Sequence, residues 1–152
     1  MKILLSVEPR FAEAMFSGAK KWEFRTRGFR VKPEKVYIYC TSPVRKVVGF
    51  FKVEKVLLGP SEKIWEICGR ESGITRDEFV DRFRNRYVYA MKIAEAKRFS
   101  YPVKLSLLGI HAPPRSFVYI RNAFLLRVLE AKNFLVQKIQ NIFGGDGHGF
   151  TT

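Results

Sequence analysis

The chain has few of the residues from which familiar catalytic and metal sites are built. It contains two histidines, His111 and His148, and two cysteines, Cys40 and Cys68, that lie far apart without a CxxC partner. A zinc site or a disulfide framework has little support, and a Ser-His-Asp triad would depend on one usable histidine, because His148 lies near the C-terminus. We therefore predict no metal and no cofactor, and we expect the cysteines to be buried free thiols in a reducing compartment.

Long apolar runs and nucleotide-binding loops are also missing. No stretch approaches the roughly 18 apolar residues of a membrane span, and the opening MKILLSV is too short for the core of a signal peptide. Neither GxxxxGK[ST] nor GxGxxG occurs, which argues against nucleotide-driven chemistry. We expect a cytoplasmic protein that does not contact a membrane.

Basic residues, in contrast, are abundant. The 152 residues include 28 Lys and Arg against 14 Asp and Glu, a net charge of +14, and residues 1–60 alone hold 13 basic and 5 acidic residues. This excess favours a polyanionic partner such as nucleic acid, although it also fits a ribosome-associated or membrane-surface protein. The aromatic content of 14% indicates a folded basic domain and not a disordered tail.

Hydrophobic periodicity predicts an α+β domain. A helix is expected to open at Glu8 and Pro9 and to end at Gly18, and helical segments are expected between Ser61 and Arg86. Strands are predicted in six segments: KILLSV, KWEFRTR, KVYIYC, VVGFFKVEKVLL, YVYAMKIAEAKRF and SFVYI. The segment PVKLSLLGI is predicted as a strand or an extended turn. This order of elements predicts a curved sheet or small barrel with helical insertions.

The pattern changes after residue 121. Apolar residues at steps of three and four mark an amphipathic helix of about six turns, namely Phe124, Val128, Ala131, Leu135, Ile139 and Ile142. We divide the chain into a domain at 1–120, a C-terminal amphipathic helix at 121–143 and a flexible tail at 144–152. Residues 122–143 are expected to pack on their own domain, to form a homodimer or to bind a protein partner, because their polar face is only mildly basic for membrane contact.

The candidate site is the stretch SGAKKWEFR, in which a helix ends at Gly18 and a strand begins. Arg25 can bind a phosphate or a base edge through two hydrogen bonds, whereas Lys20 acts as a flexible point charge. Glu23 can orient Lys20 or accept a hydrogen bond from a base amine. The alternative interpretation is a strand surface on which Glu23 and Arg25 neutralise one another in water.

This stretch resembles the G-x-K-x-x-E-x-R signature of ASCH domains, which are small β-barrel domains of the PUA-like superfamily. Gly18, Lys20, Glu23 and Arg25 fall on the four motif positions. The resemblance covers roughly residues 1–120 and implies a mixed β-barrel with a cleft beneath the motif strand. It also implies an RNA- or nucleotide-binding domain, such as a regulator of translation or RNA metabolism. The residues expected to bind nucleic acid are Lys20, Lys21, Arg25, Arg27, Arg30 and Lys32.

The resemblance leaves an enzymatic alternative open. One branch of the family consists of amidohydrolases that deacetylate N4-acetylcytidine with a Lys, Thr and Glu set, and another member is linked to cleavage of single-stranded RNA. In this chain the lysine falls on Lys20 and the glutamate on Glu71, whereas the threonine position holds Glu23 and so lacks the hydroxyl nucleophile. An amidohydrolase or ribonuclease would use Lys20 with Glu23 or Glu71.

Overall fold

Six strands form one mixed sheet in the computed structural model, which describes residues 1–143. The strands are β1 (Lys2–Val7), β2 (Trp22–Arg25), β3 (Lys35–Cys40), β4 (Lys46–Pro60), β5 (Tyr87–Val103) and β6 (Phe117–Tyr119). The α-helices are α1 (Pro9–Ser17), α2 (Ser61–Cys68), α3 (Arg76–Phe83) and α4 (Ala123–Phe143), and short 3-10 turns lie at Gly69–Glu71 and Leu105–Leu108. The predicted tail at 144–152 lies outside the described residues.

The strand order is β2-β5-β4-β3-β1-β6, so the motif strand β2 forms one edge and β6 forms the other. β1 and β3 are parallel, and the other neighbouring pairs are antiparallel. Register shifts interrupt the pairing of β4 with β5 at Val47–Gly49 and again between Lys52 and Lys55. Such shifts increase the local bend and twist of a strand, which explains how two strands of this length follow a curved surface.

The curvature brings the two edges of the sheet together. Arg25 at the end of β2 donates from Nη2 to the backbone oxygen of Ser6 in β1, at 2.8 Å. Phe29, four residues beyond β2, packs against Phe117 of β6 with 4.6 Å between ring centroids. The result is a curled half-barrel, and the predicted α+β fold with helical insertions is confirmed.

Apolar side chains cover both faces of this sheet. On one face Leu5 of β1 packs with Phe11 and Met15 of α1, and on the other Leu4 shares a cluster with Leu126 of α4. Because β1 is buried on both faces, it is an almost continuous apolar run instead of an alternating one. Helices α2 and α3 form a third cluster that encloses Trp22 and Phe24 of β2, with contributions from Ile64 and Phe79.

Several local predictions agree with these elements. Gly18 ends α1 in the left-handed conformation at φ 83°, and Thr75 caps α3 by accepting from the backbone N–H of Glu78 at 3.2 Å. Cys40 and Cys68 are buried free thiols, and burial raises the pKa of Cys68 to about 11. β2 ends two residues earlier than predicted, because the chain after Arg25 leaves the sheet to pack on β6.

Helix α4 contacts the sheet through a different face from the one marked by its apolar pattern. Leu126 is fully buried, and the carboxylate of Glu130 accepts from Tyr37 Oη at 2.7 Å and from Lys35 Nζ at 2.9 Å. All six residues of the predicted apolar stripe are exposed, including Phe124 at 73%. No helix within residues 1–143 is long and apolar enough to cross a membrane. Assembly through residues 122–143 stays a prediction, as does the boundary at residue 120.

Candidate functional site

A cavity of about 510 Å³ opens where the two edges of the curled sheet meet. β2 contributes Glu23 and Arg25 to its lining, and β1 contributes Ser6 and Val7 from the opposite side. The remaining walls come from α1, from Thr41 after β3, from the end of α3 and from the segment before β6. The cavity therefore depends on the tertiary arrangement of elements that are far apart along the chain.

Lys20 lies at the floor of this cavity and is only 3% exposed. Its Nζ donates to the backbone oxygen of Ser72 at 2.5 Å and lies 3.7 Å from Oε2 of Glu23. The rings of Phe11 and Phe24 flank the ammonium, with centroids at 5.0 and 5.6 Å. An ammonium in such an apolar surrounding is poorly solvated and contacts few compensating oxygens.

This surrounding lowers the pKa of Lys20. Burial is the largest cause, the carboxylate of Glu23 opposes it, and the guanidinium groups of Arg25 and Arg82 add to it. A lysine whose charged form is disfavoured loses its proton more readily than a surface lysine does. Lys20 can therefore act either as a fixed positive charge or, when neutral, as a base.

Two glycines permit the backbone conformation that surrounds the Lys20 side chain. Gly18 allows the chain to turn out of α1, and the backbone N–H of Lys20 then donates to the carbonyl of Ala14 at 2.9 Å. Gly73 has a φ of +71°, and a Cβ at this position would lie 3.0 Å from Cβ of Lys20. A side chain at position 73 would be strained and would press on the stem of Lys20.

Glu23 and Arg25 are coupled to each other and to the opposite edge of the sheet. Nε of Arg25 donates to Oε1 of Glu23 at 3.1 Å, and Nη2 donates to the Ser6 carbonyl. The side chains of Glu23 and Arg25 are only 9% and 17% exposed. The alternative of a pair that neutralises itself in bulk water therefore does not describe this site, since the pair is largely enclosed.

Further arginines make the cavity strongly positive. Five cations line it against two carboxylates, Glu8 and Glu23: Lys20, Arg25, Arg82, Arg86 and Arg115. Glu8 accepts from Arg82 at 3.2 Å, whereas Arg86 and Arg115 are exposed and pair with no carboxylate in the part of the chain that the structure describes. A concave surface with this excess of charge attracts anions.

The sequence interpretation did not include these rim residues. Arg82 belongs to α3, Arg86 to the turn after it, and Arg115 to the segment before β6. Local patterns cannot reveal their convergence, because it depends on how α3 packs and on which strands form the edges of the sheet. The sequence PPRSF beside the closing strand was the one available signal for Arg115.

Several predicted site residues lie elsewhere. Lys21 and Glu71 form an ion pair of 3.0 Å, each side chain 54% exposed, outside the cavity lining. Arg27 lies over the ring of Phe117 at 5.2 Å. Arg30 and Lys32 are exposed surface residues and do not line the cavity either. The structure therefore brings Lys20, Glu23 and Arg25 together but places the other predicted residues on the outer surface.

Metal-ligating side chains do not converge within residues 1–143, where no three His, Cys, Asp or Glu residues are close enough together to hold an ion. The groups available for chemistry in the cavity are an ammonium with a lowered pKa, a carboxylate beside it and several guanidinium groups. Such a set can bind phosphate and can move a proton.

Comparisons with known proteins agree with this description. No protein-family model matches the chain. The "ASCH domain-containing ribonuclease" of Zymomonas mobilis subsp. mobilis is 30% identical over 123 residues, which are 78% of this chain and 83% of that protein. A crystal structure of a mutant of ZmASCH from Zymomonas mobilis superimposes with a TM-score of 0.77 at 26% identity, covering 86% of this chain and 95% of that one. The N-terminal domain of Staphylothermus marinus McrB shares the fold alone, with a TM-score of 0.54 at 13% identity over 86% of this chain and 93% of that chain.

Proposed function

The chain belongs to the ASCH domain family, and we propose that its cavity binds single-stranded RNA. The observation that carries this proposal is the convergence of five cations against two carboxylates in one cavity. In the proposed complex, Arg25, Arg86 and Arg115 donate hydrogen bonds to a phosphate above the charge of Lys20. The relative named as a ribonuclease supports RNA as the class of ligand.

The shape of the cavity favours a single strand over a duplex. Its volume of about 510 Å³ is of the size that holds one small ligand, such as a nucleotide. A flexible single strand can turn one nucleotide into such a cavity, whereas the phosphates of a rigid A-form helix stay on the outside of a wide cylinder. We therefore expect weaker binding to double-stranded RNA.

Salt dependence tests the binding proposal. Each phosphate contact contributes about 0.7 to the slope of log K against log salt for single strands. We expect the double substitution R86S/R115S to weaken binding of a short single-stranded RNA and to reduce this slope by about 1.4. Both arginines are exposed and unpaired among the described residues, so their loss should not unfold the domain.

A matched control removes the same charge elsewhere. Lys63 and Arg70 are exposed residues of the helical insertion and lie outside the cavity lining, so K63S/R70S should leave affinity and slope nearly unchanged. Binding that does not vary with salt, or that responds equally to both double substitutions, would sink the proposal.

A second candidate function is RNA cleavage, which is favoured by the lowered pKa of Lys20. Neutral Lys20 would accept the proton of a ribose 2′-hydroxyl, and the 2′-oxygen would attack the adjacent phosphorus. The bond from phosphorus to the 5′-oxygen would break to leave a 2′,3′-cyclic phosphate, while the departing oxygen takes a proton from water. Glu23 would be the proton-transfer partner of Lys20 and Arg25 would stabilise the developing charge.

Cleavage of a single-stranded RNA, compared with the DNA of the same sequence, tests this candidate. We expect cleavage of the RNA alone, loss of activity in K20M, and unchanged activity in E71Q, whose carboxylate lies outside the cavity. Binding of RNA without any cleavage would remove the catalytic candidate and leave the binding proposal intact.

A further inference from the structure

A second basic pocket adjoins the cavity. It has a volume of about 750 Å³ and lies between the turn at residues 41–46 and the segment at residues 104–113. Thr41 lines both the cavity and this pocket. The segment before β6 also borders both, because Pro113 lines the pocket and Arg115 lines the cavity.

The charge of this second pocket is uncompensated. Arg45, Lys46 and Lys104 line it together with His111, and no Asp or Glu does. Throughout residues 1–143, none of these three cations forms an ion pair with a carboxylate. Other surface cations of this chain do, such as Lys52 with Glu95 at 3.1 Å and Arg98 with Glu13 at 2.6 Å.

Resting on the proposed function of the cavity, we propose that this pocket binds the next phosphates of the same RNA strand. A strand that places one nucleotide in the cavity and leaves past Thr41 enters the pocket directly. The three cations of the pocket lack carboxylate partners and lie in a concave surface. They therefore attract the polyanionic backbone of RNA more strongly than surface cations in ion pairs do.

The pocket contacts the RNA chiefly through its backbone. Of its two lining rings, Tyr39 is only 4% exposed and offers no face on which a base could stack, whereas the exposed imidazole of His111 can stack a base without reading its identity. Contacts to phosphates position a strand without reading its sequence. The second pocket therefore extends the length of RNA that is bound and adds no sequence preference.

Arg45, one of the three cations, has a left-handed backbone conformation. It has a φ of 53°, a left-handed conformation that costs a residue with a side chain about 1 kcal/mol or more. Glycine adopts this conformation without that cost. R45G therefore removes one cation of the pocket while leaving the turn able to form.

Length dependence of binding tests the inference. We compare a dinucleotide with a decanucleotide, both single-stranded RNA, by fluorescence anisotropy. In R45S/K46S/K104S, affinity for the decanucleotide should fall by about tenfold or more, and its salt slope should fall by about 2, which corresponds to three lost phosphate contacts. Affinity for the dinucleotide should stay at the wild-type value, because the dinucleotide occupies only the cavity. R45G should also lose affinity for the decanucleotide and not for the dinucleotide, but by a smaller factor, because it removes one cation instead of three.

The control variant K63S/R70S/R76S loses the same charge from the helical insertion, outside both the cavity and the pocket. Equal losses of decanucleotide affinity in the control and the pocket variant overturn the inference, as does a wild-type protein that binds both RNAs equally well. If the wild type binds neither RNA, the proposed function of the cavity itself fails. If R45S/K46S/K104S does not fold, decanucleotide binding by R45G at the wild-type affinity overturns the inference instead.

Discussion

Lys20 has two charged neighbours that act on its pKa in opposite directions. The carboxylate of Glu23 raises the pKa and thereby opposes the effect of burial, whereas the guanidinium of Arg25 lowers it. Because Arg25 also binds Glu23, it competes with Lys20 for the same carboxylate. The protonation state of Lys20 thus depends on how Glu23 is shared.

This arrangement predicts shifts of opposite sign in two variants. E23Q removes an opposite charge, so the pKa of Lys20 should fall further below its ordinary value. R25M removes a like charge and frees Glu23, so the pKa should rise towards the ordinary value. An NMR titration of the lysine Nζ group measures both, and shifts of the same sign in the two variants would contradict the assignment of causes.

The lowered pKa also makes stability depend on pH. Unfolded Lys20 binds its proton more tightly than folded Lys20 does, so protonation favours the unfolded chain as the pH falls below about 10.4. The destabilisation is complete below the folded pKa and disappears above the unfolded one. The free energy of unfolding of the wild type, relative to that of K20M, should therefore increase as the pH is raised through this interval.

Among the elements, those set by local signals could be predicted from the sequence. Strand β1, strand β3 and helix α1 with its terminal Gly18 agree with the apolar patterns that mark them. The face of α4 that contacts the sheet could not be predicted from apolar periodicity, because one of its contacts is made by the charged residue Glu130. Of the cavity, only the motif residues Lys20, Glu23 and Arg25 were predicted, because the rim arginines come from elements that tertiary packing alone places beside them.

The packing of helix α4 on the sheet should weaken when Glu130 is replaced. Tyr37 Oη is fully buried and donates to Glu130, so E130A leaves this hydroxyl without its partner. Leaving a buried polar group unsatisfied costs about 1–3 kcal/mol, and we expect a decrease of about this size in the free energy of unfolding, measured with urea.

Two further variants test whether the effect comes from this contact. In Y37F/E130A the hydroxyl is absent, so the two substitutions should cost less together than the sum of their separate effects. E66A is the control, because Glu66 is 74% exposed and lies 4.0 Å from Lys63, where an ion pair is worth less than about 1 kcal/mol. If E130A were as mild as E66A, the docking of α4 through Glu130 would be wrong.

At the scale of the whole molecule, the half-barrel is closed by side chains and not by strand pairing. Arg25 crosses from β2 to the Ser6 carbonyl, Phe29 packs on Phe117, and the backbone N–H of Arg30 donates to Tyr119 Oη at 3.3 Å. Contacts of this kind open at lower free energy than the hydrogen-bonded centre of a sheet. The cavity lies at this junction, so any ligand that contacts both edges also holds them together.

Phe29 is therefore expected to affect both stability and binding, although it does not line the cavity. F29A should lower the free energy of unfolding by about 2 kcal/mol, less than the 3–5 kcal/mol of a fully buried phenylalanine, because Phe29 is half-buried. It should also weaken RNA binding, since Arg25 on one edge and Arg115 beside the other lose their fixed separation. Y87A, at an aromatic residue 66% exposed on β5, is the matched control with little effect on either measurement.

Hydrogen exchange tests whether Phe29 joins the two edges of the sheet or only contributes to packing. In F29A the amides of residues 26–30 and of β6 should exchange faster, while those of β3 and β4 at the centre of the sheet keep their relative protection. In the wild type, added single-stranded RNA should slow exchange in the same two segments, because a phosphate held by Arg25 and Arg115 joins the two edges. Slower exchange confined to β3 and β4, or RNA affinity unchanged in F29A, would show that the two edges do not form a common binding site.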